Sequence, residues 1–364
     1  MDLKVMVVDD TVVYRKLLTD VLGEFSKVEV VGSASNGKIA LSRIDTLKPD
    51  LITLDVEMPV MDGVQTLEEI QKRKLDIGVI MISSLTKRGS DVTMKALELG
   101  AFDFIAKPDK ESREENKKAI KEALAPRINH FLKRWDFQKA LKGDRPKKEQ
   151  KKEQKKAPTK VSREPSSTRS AYEKSEIVAI GVSTGGPNAL TKMLPSLPDK
   201  LGVPVVVVQH MPPVFTKSLA ESLDQKCSLR VQELRDGEAL KKDTIYIAPG
   251  GYQSKIVTGA NQIKMFRVLD DPPENNCKPS VDYMFRSVAR EYQSKVTGVI
   301  MTGMGNDGTL GLKVMKSFGA VTIGQDENSC VVYGMPKIAI ESGVVDIVVP
   351  LDKIASEISS TVKR

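Results

Sequence analysis

Three polar residues, each just beyond a run of apolar ones, could together carry out acyl transfer: Ser183, His210 and Asp307. Ser183 stands in Gly181-Val182-Ser183-Thr184-Gly185-Gly186-Pro187, directly after Ile177–Ile180. That pattern predicts a buried strand ending in a glycine-rich turn that starts a helix. At such a bend the serine side chain is held clear of the sheet, and free N–H groups of the helix N-terminus face any negative charge developing beside it. The text also fits G-x-S-x-G, although a glycine-rich turn can equally cradle a phosphate or simply turn a corner. His210 follows Val205–Val208, and Asp307 lies in Thr302–Gly308 after Val299–Met301. A serine nucleophile needs a base within hydrogen-bond reach, and the base needs a carboxylate to hold its tautomer. A rival reading uses Gly303, Gly305 and Gly308 as G-x-G-x-x-G after a strand, with Asp326 as the ribose-binding acid of a dinucleotide site. The rival leaves Ser183 and His210 without a role and falls late in its domain.

A second set points to phosphoryl chemistry. Asp9, Asp10 and Asp55 each end or follow a strand-like run, as do Ser83 and Lys107. Three converging carboxylates repel one another unless a hard divalent cation lies among them, and an all-oxygen cluster with few ligands suits Mg²⁺. One carboxylate can then attack a phosphoryl group while Lys107 and the Ser83 hydroxyl contact its oxygens.

Both sets need parallel sheets to bring them together. Over residues 1–125, strand-like runs (Val5–Val8, Val28–Gly32, Leu51–Leu54, Ile77–Ile82, Phe102–Ile105) alternate with amphipathic stretches such as Val12–Leu22 and Val92–Leu99. The alternation predicts a doubly wound α/β sheet with its chemistry at the carboxyl ends of the strands. Residues 176–364 read as a second α/β domain. In it Ile245–Gly251 is a strand and turn, Ser280 an N-cap, and Met335-Pro336-Lys337 a helix start.

Between them, residues 126–175 are a charged linker. Pro126 is expected to close the preceding helix, with a short amphipathic extension over Arg127–Leu141, and a Lys-Lys-Glu-Gln repeat near 147–156 cannot bury a core. This segment carries the whole positive excess, net +10 (16 basic, 6 acidic), against −3 (19 and 22) for 1–125 and +1 (21 and 20) for 176–364. Its aromatic residues are only Phe131, Trp135, Phe137 and Tyr172, too few for base stacking, so no nucleic-acid partner is expected. His130, in the same segment, has no expected role. Met1-Asp2-Leu3-Lys4 runs directly into a strand and no apolar run approaches a membrane span, which predicts a soluble, cytoplasmic protein. Three scattered cysteines, Cys227, Cys277 and Cys330, predict reduced thiols with neither disulfide nor cysteine metal site.

The first domain resembles the receiver domain of two-component response regulators on Leu54-Asp55-x-x-Met58-Pro59-x-x-Asp62-Gly63 together with the acids and lysine above. The resemblance implies Asp55 as phosphoryl acceptor, and Asp9, Asp10, Asp55 and the Glu57 carbonyl as Mg²⁺ ligands. It also implies Ser83 and Lys107 as phosphoryl sensors, Phe104 as the switch aromatic, and a sensor histidine kinase as donor. Residues 176–364 resemble the CheB family of chemotaxis protein-glutamate methylesterases. The matching text is Gly181–Pro187, Gln209-His210-Met211, Tyr246–Gly250, Pro279–Asp282, Thr302–Gly308 and Ser329–Pro336. That resemblance implies Ser183 as nucleophile, His210 as base then acid, Asp307 as its orienter, and Thr184 and Met304 near the oxyanion. It further implies a Rossmann-like fold, methylated chemoreceptors as substrate, deamidation of particular glutamines as a side activity, and no cofactor in the esterase site. In that family the unphosphorylated receiver partly covers the cleft. The Lys/Glu/Gln repeat matches no family motif.

Overall fold

The computed structural model describes residues 2–141 and 172–363, with side chains of the first segment through Leu132. The Lys/Glu/Gln repeat therefore lies outside the described residues. The N-terminal domain is built from β1 (Leu3–Val8), α1 (Val12–Leu22), β2 (Val28–Ala34), α2 (Gly37–Leu47), β3 (Leu51–Asp55), α3 (Gly63–Lys72), β4 (Gly78–Ser83), α4 (Lys87–Glu98), β5 (Asp103–Ala106) and α5 (Arg113–Leu141). Its five strands form one parallel sheet in the order β2-β1-β3-β4-β5. Apolar clusters fill both faces, as the near-continuous apolar strands require.

Helix α5 does not end at Pro126. A proline inside a helix costs about 3 kcal/mol. Downstream, however, Ile128 and Phe131 are buried in the domain core, each worth about 1.5–3 kcal/mol, so packing outweighs the break. Phe131 lies over Gly78, where a Cβ would come within 2.3 Å of its ring. The first residues of the expected linker thus fold with the N-terminal domain.

The C-terminal domain comprises β6 (Ile177–Val182), α6 (Gly186–Met193), β7 (Val205–Gln209), α7 (Phe215–Asp224), β8 (Arg230–Glu233), β9 (Thr244–Ile247), β10 (Gln253–Thr258), β11 (Lys264–Leu269), α8 (Val281–Tyr292), β12 (Val296–Ile300), α9 (Thr309–Ser317), β13 (Val321–Gln325), α10 (Met335–Glu341), β14 (Ile347–Val349) and α11 (Leu351–Val362). Seven strands make a parallel sheet ordered β14-β13-β12-β6-β7-β9-β8, with β10 and β11 a separate antiparallel hairpin. Chain order reverses at β6, which has β7 on one side and β12 on the other. The crevice beyond the carboxyl ends of those strands is where such sheets bind ligands.

The two domains pack through α4 and α7. Phe104 stacks on Phe215 with ring centroids 4.7 Å apart and planes 18° apart. Ser218 shares a 2.7 Å hydrogen bond with Ser90 and donates to Asp91 Oδ1 at 2.6 Å. Lys226 pairs with Glu98. Asn188 Nδ2, on α6, donates to the Ala101 carbonyl at 3.0 Å. No helix among the described residues is long and apolar enough to cross a membrane.

Candidate active site and phosphorylation site

The turn after β6 is tied down from three sides. Ser183 N–H donates to the Thr302 carbonyl at 2.9 Å, joining the ends of β6 and β12. Gln209 Nε2, at the end of β7, donates to the carbonyls of Ser183 (3.0 Å) and His210 (3.1 Å). Thr302 Oγ1 donates to the Thr184 carbonyl at 3.0 Å. Glycine is required where these segments meet: a Cβ on Gly186 would lie 1.9 Å from Gln209 Oε1, and one on Gly303 would lie 2.7 Å from the Ser183 Cβ. Gly185 adopts φ +74°, a conformation that favours glycine. The Thr184 N–H makes no hydrogen bond among the described residues.

His210 Nε2 meets Asp307 Oδ2 at 2.7 Å. Asp307 is buried beside the N-terminus of α8. Its Oδ1 accepts from Ser280 Oγ (2.9 Å), Asp282 N (2.9 Å), Asn275 Nδ2 (3.0 Å) and Gly308 N (3.1 Å), and its Oδ2 also accepts from Val281 N (2.7 Å). Burial alone would raise its pKa, but the His210 bond and the backbone donors hold it down at about 2. For His210, burial disfavours the charged ring, yet the bonds to Asp307 and then Cys277 push it up to about 9. Because Asp307 holds Nε2, the nitrogen left to accept a proton is Nδ1.

Ser183 and His210 line one cavity of about 250 Å³ together with Thr184, Pro187 and Gln209. Its opposite wall belongs to the N-terminal domain: Asp103–Ala106 of β5, and Ala123 and Arg127 of α5. Arg127 pairs with Asp103 at 3.0 Å across this wall. No hydrogen bond joins Ser183 to His210 among the described residues. Met304 does not line this cavity. It is 54% exposed and borders a neighbouring one of about 380 Å³ with His130, Glu327, Cys330 and Tyr333.

The two ends of the glycine loop in the dinucleotide reading are otherwise engaged. Gly303 N–H donates to the Val332 carbonyl and Thr309 N–H to that of Asn306, while Gly308 N–H goes to Asp307. Asp326 accepts from Ser329 N at 3.1 Å and caps its own turn. The N–H groups of Gly303, Gly308 and Thr309 are thus taken up by the protein itself and are not offered to a pyrophosphate.

In the N-terminal domain, oxygens of Asp9, Asp10 and Asp55 all lie within 4.8 Å of one another. Lys107 Nζ stands 2.8 Å from Asp55 Oδ2 and 2.9 Å from Asp9 Oδ2, and the latter, fully buried, has no partner in hydrogen-bond geometry. Burial, then the Asp9 charge, pushes the Asp55 carboxyl up to about 6 despite Lys107. Two buried carboxylates crowded about one lysine, with Asp10 beside them, fit a hard divalent cation. A cavity of about 350 Å³ lined by Asp10, Glu57, Met58 and Arg88 lies beside them. Ser83 is turned elsewhere: it donates to the Gly89 carbonyl at 3.1 Å and accepts from Thr93 Oγ1 at 2.8 Å.

Sequence reasoning missed Gln209, Asn275, Cys277, Arg127 and Asp103. Gln209 was legible as a polar residue ending a strand. The others are brought to the site by a loop and by domain packing that no local pattern marks.

The receiver-domain model of response regulators matches residues 5–121, and the CheB methylesterase model matches residues 178–358. A Desulfotalea psychrophila protein-glutamate methylesterase/protein-glutamine glutaminase is 51% identical over 365 residues, covering 100% of this chain and 99% of its own. The Bacillus subtilis protein of the same name is 43% identical, also covering 100% and 99%. The crystal structure of the Thermotoga maritima CheB methylesterase catalytic domain superposes with a TM-score of 0.50 at 44% identity, covering 51% of this chain and 98% of that one. Two parallel α/β domains in this order, with identity running the length of both, make this chain a member of the protein-glutamate methylesterase/protein-glutamine glutaminase family, built from a receiver and a CheB methylesterase domain.

Proposed function

We propose that the protein hydrolyses glutamyl methyl esters on methyl-accepting chemoreceptors to glutamate and methanol, and deamidates particular receptor glutamines, under control of Asp55 phosphorylation. The observation that supports this most directly is the cavity shared by Ser183 and His210, with His210 held by Asp307. Ser183 Oγ attacks the ester carbonyl while His210 Nδ1 accepts its proton. Asp307 keeps Nε2 protonated and stabilises the imidazolium. The free N–H of Thr184 is assigned to the oxyanion, whereas Met304, which borders the neighbouring cavity, is left without a part in it. Methanol leaves with the proton from His210, and water frees the acyl-enzyme by the reverse sequence. We assign residues 1–125 to the receiver, 126–175 to the connection, whose first residues complete the receiver core, and 176–364 to the catalytic domain. A cytoplasmic location follows from the substrate face of chemoreceptors.

In the receiver, Asp9, Asp10, Asp55 and the Glu57 carbonyl would hold Mg²⁺, which supplies charge neutralisation for phosphoryl transfer from a sensor histidine kinase. Asp55 accepts the phosphoryl group, Lys107 pairs with it, and Ser83 leaves Gly89 and Thr93 to meet its oxygens. Phe104 follows Ser83, away from Phe215, and the receiver wall is loosened from the cavity. The test is methanol release from methylated receptor membranes, for wild type and Ser183→Ala, with and without a small phosphodonor and Mg²⁺. Expected are dependence on Ser183 and stimulation by phosphodonor. Undiminished release by Ser183→Ala refutes the nucleophile assignment. The alternative, a receiver with a non-catalytic output domain, predicts no release under any condition.

A further inference from the structure

The proton-accepting nitrogen of His210 faces a second nucleophile. Cys277 Sγ lies 3.6 Å from His210 Nδ1, while Nε2 of the same ring is held by Asp307 at 2.7 Å. This thiol, imidazole and carboxylate therefore stand in the order of a cysteine-hydrolase triad. Ser183 has no such bond, so the base that the esterase needs is engaged by sulfur in this structure.

We propose that Cys277 is a modification site, a thiol activated by His210 for attack on small alkylating electrophiles, and that its modification shuts off the esterase. The proposal rests on the reading of His210 as the base for Ser183. Proton transfer from Sγ to Nδ1 gives a thiolate that accepts a hydrogen bond from the new Nδ1–H, with Asp307 balancing the imidazolium charge. With iodoacetamide, the thiolate sulfur forms a bond to the methylene carbon, the carbon–iodine bond breaks and iodide leaves. The proton stays on His210. The sulfur then carries an acetamide group beside Nδ1, in the space through which Ser183 must reach the base.

The other two thiols serve as internal controls. Neither Cys227 nor Cys330 is hydrogen-bonded to His210, which meets Cys277 and Asp307. Burial pushes the Cys227 thiol up to about 11, and that of Cys330 upward too. Cys277 approaches the ring because its loop also binds the triad acid: Asn275 donates to Asp307, and its carbonyl lies 3.4 Å from the Cys277 sulfur.

The experiment uses the full chain, iodoacetamide, and peptide mass mapping of all three cysteines over time. Cys277 should be modified about tenfold or more faster than Cys227 and Cys330, and His210→Gln should slow Cys277 about tenfold without changing the other two rates. Esterase activity of wild type should fall in step with Cys277 modification. Treated and untreated Cys277→Ala should have equal activity, whatever its level. A Cys277 rate indifferent to His210→Gln, or an enzyme fully modified at Cys277 that still releases methanol, overturns the proposal. The labelling rates need no esterase turnover, so failure of the functional reading and failure of this inference are separable.

Discussion

Asp55→Asn tests the electrostatics of the proposed phosphorylation site. Asp55 is 3% exposed and is pushed from 3.8 to about 6 by burial and by Asp9. The shift of about 2 pK units corresponds to roughly 3 kcal/mol of unfavourable free energy for the ionised carboxylate in the metal-free fold, at 1.36 kcal/mol per unit. A raised pKa means that the folded state holds its proton more tightly than the unfolded one. The associated stability is present below about pH 4 and is lost as pH rises through 6. Asparagine keeps the shape and removes the charge. The receiver transition of the full chain, followed calorimetrically without metal, should therefore be stabilised by about 2–3 kcal/mol at pH 7.5 in Asp55→Asn and hardly at all at pH 4. Mg²⁺ should close the gap by stabilising wild type. If the variant is no more stable than wild type at pH 7.5 without metal, Lys107 already compensates the cluster and the argument for a cation from crowded charge fails.

Loosening the domain contact should raise activity in the unphosphorylated protein. Phe104→Ala loses a stacked aromatic pair worth about 0.5–1.5 kcal/mol beyond burial, so methanol release without phosphodonor should rise about 2- to 10-fold; an unchanged rate would mean that the receiver wall does not limit access. The base must be neutral to accept the serine proton, and with His210 near 9 its neutral fraction grows about 50-fold from pH 7 to 9. Unphosphorylated kcat/KM should climb over that interval, and a plateau already at pH 7 would refute a raised histidine. The same group stabilises the fold fully below pH 6.5, and that contribution is lost as pH rises through 9. Gly186→Ala places a methyl group 1.9 Å from Gln209 Oε1 and should dislodge the Gln209 bonds to Ser183 and His210, lowering turnover at least tenfold; full activity would show that the turn adapts.

Much of this protein was open to reading from local pattern, because strand-end polar residues in parallel sheets declare themselves by position. Ser183, His210, Asp307 and the receiver aspartates each follow an apolar run, and βα alternation commits those runs to a sheet whose carboxyl ends gather ligands. Ser280 as an N-cap and Met335 as a helix start were equally local. Tertiary structure decided the rest. Helix α5 passes Pro126 because Ile128 and Phe131 find a core that a propensity argument cannot see. Which nitrogen of His210 is left open to a proton depends on Asp307, 97 residues away, reaching Nε2. Asn275 and Cys277 come to the site through loop geometry, and Arg127 and Asp103 through the docking of two domains. Periodicity carries information about single elements and the faces they bury, while long-range packing determines which side chains share a cavity and a proton.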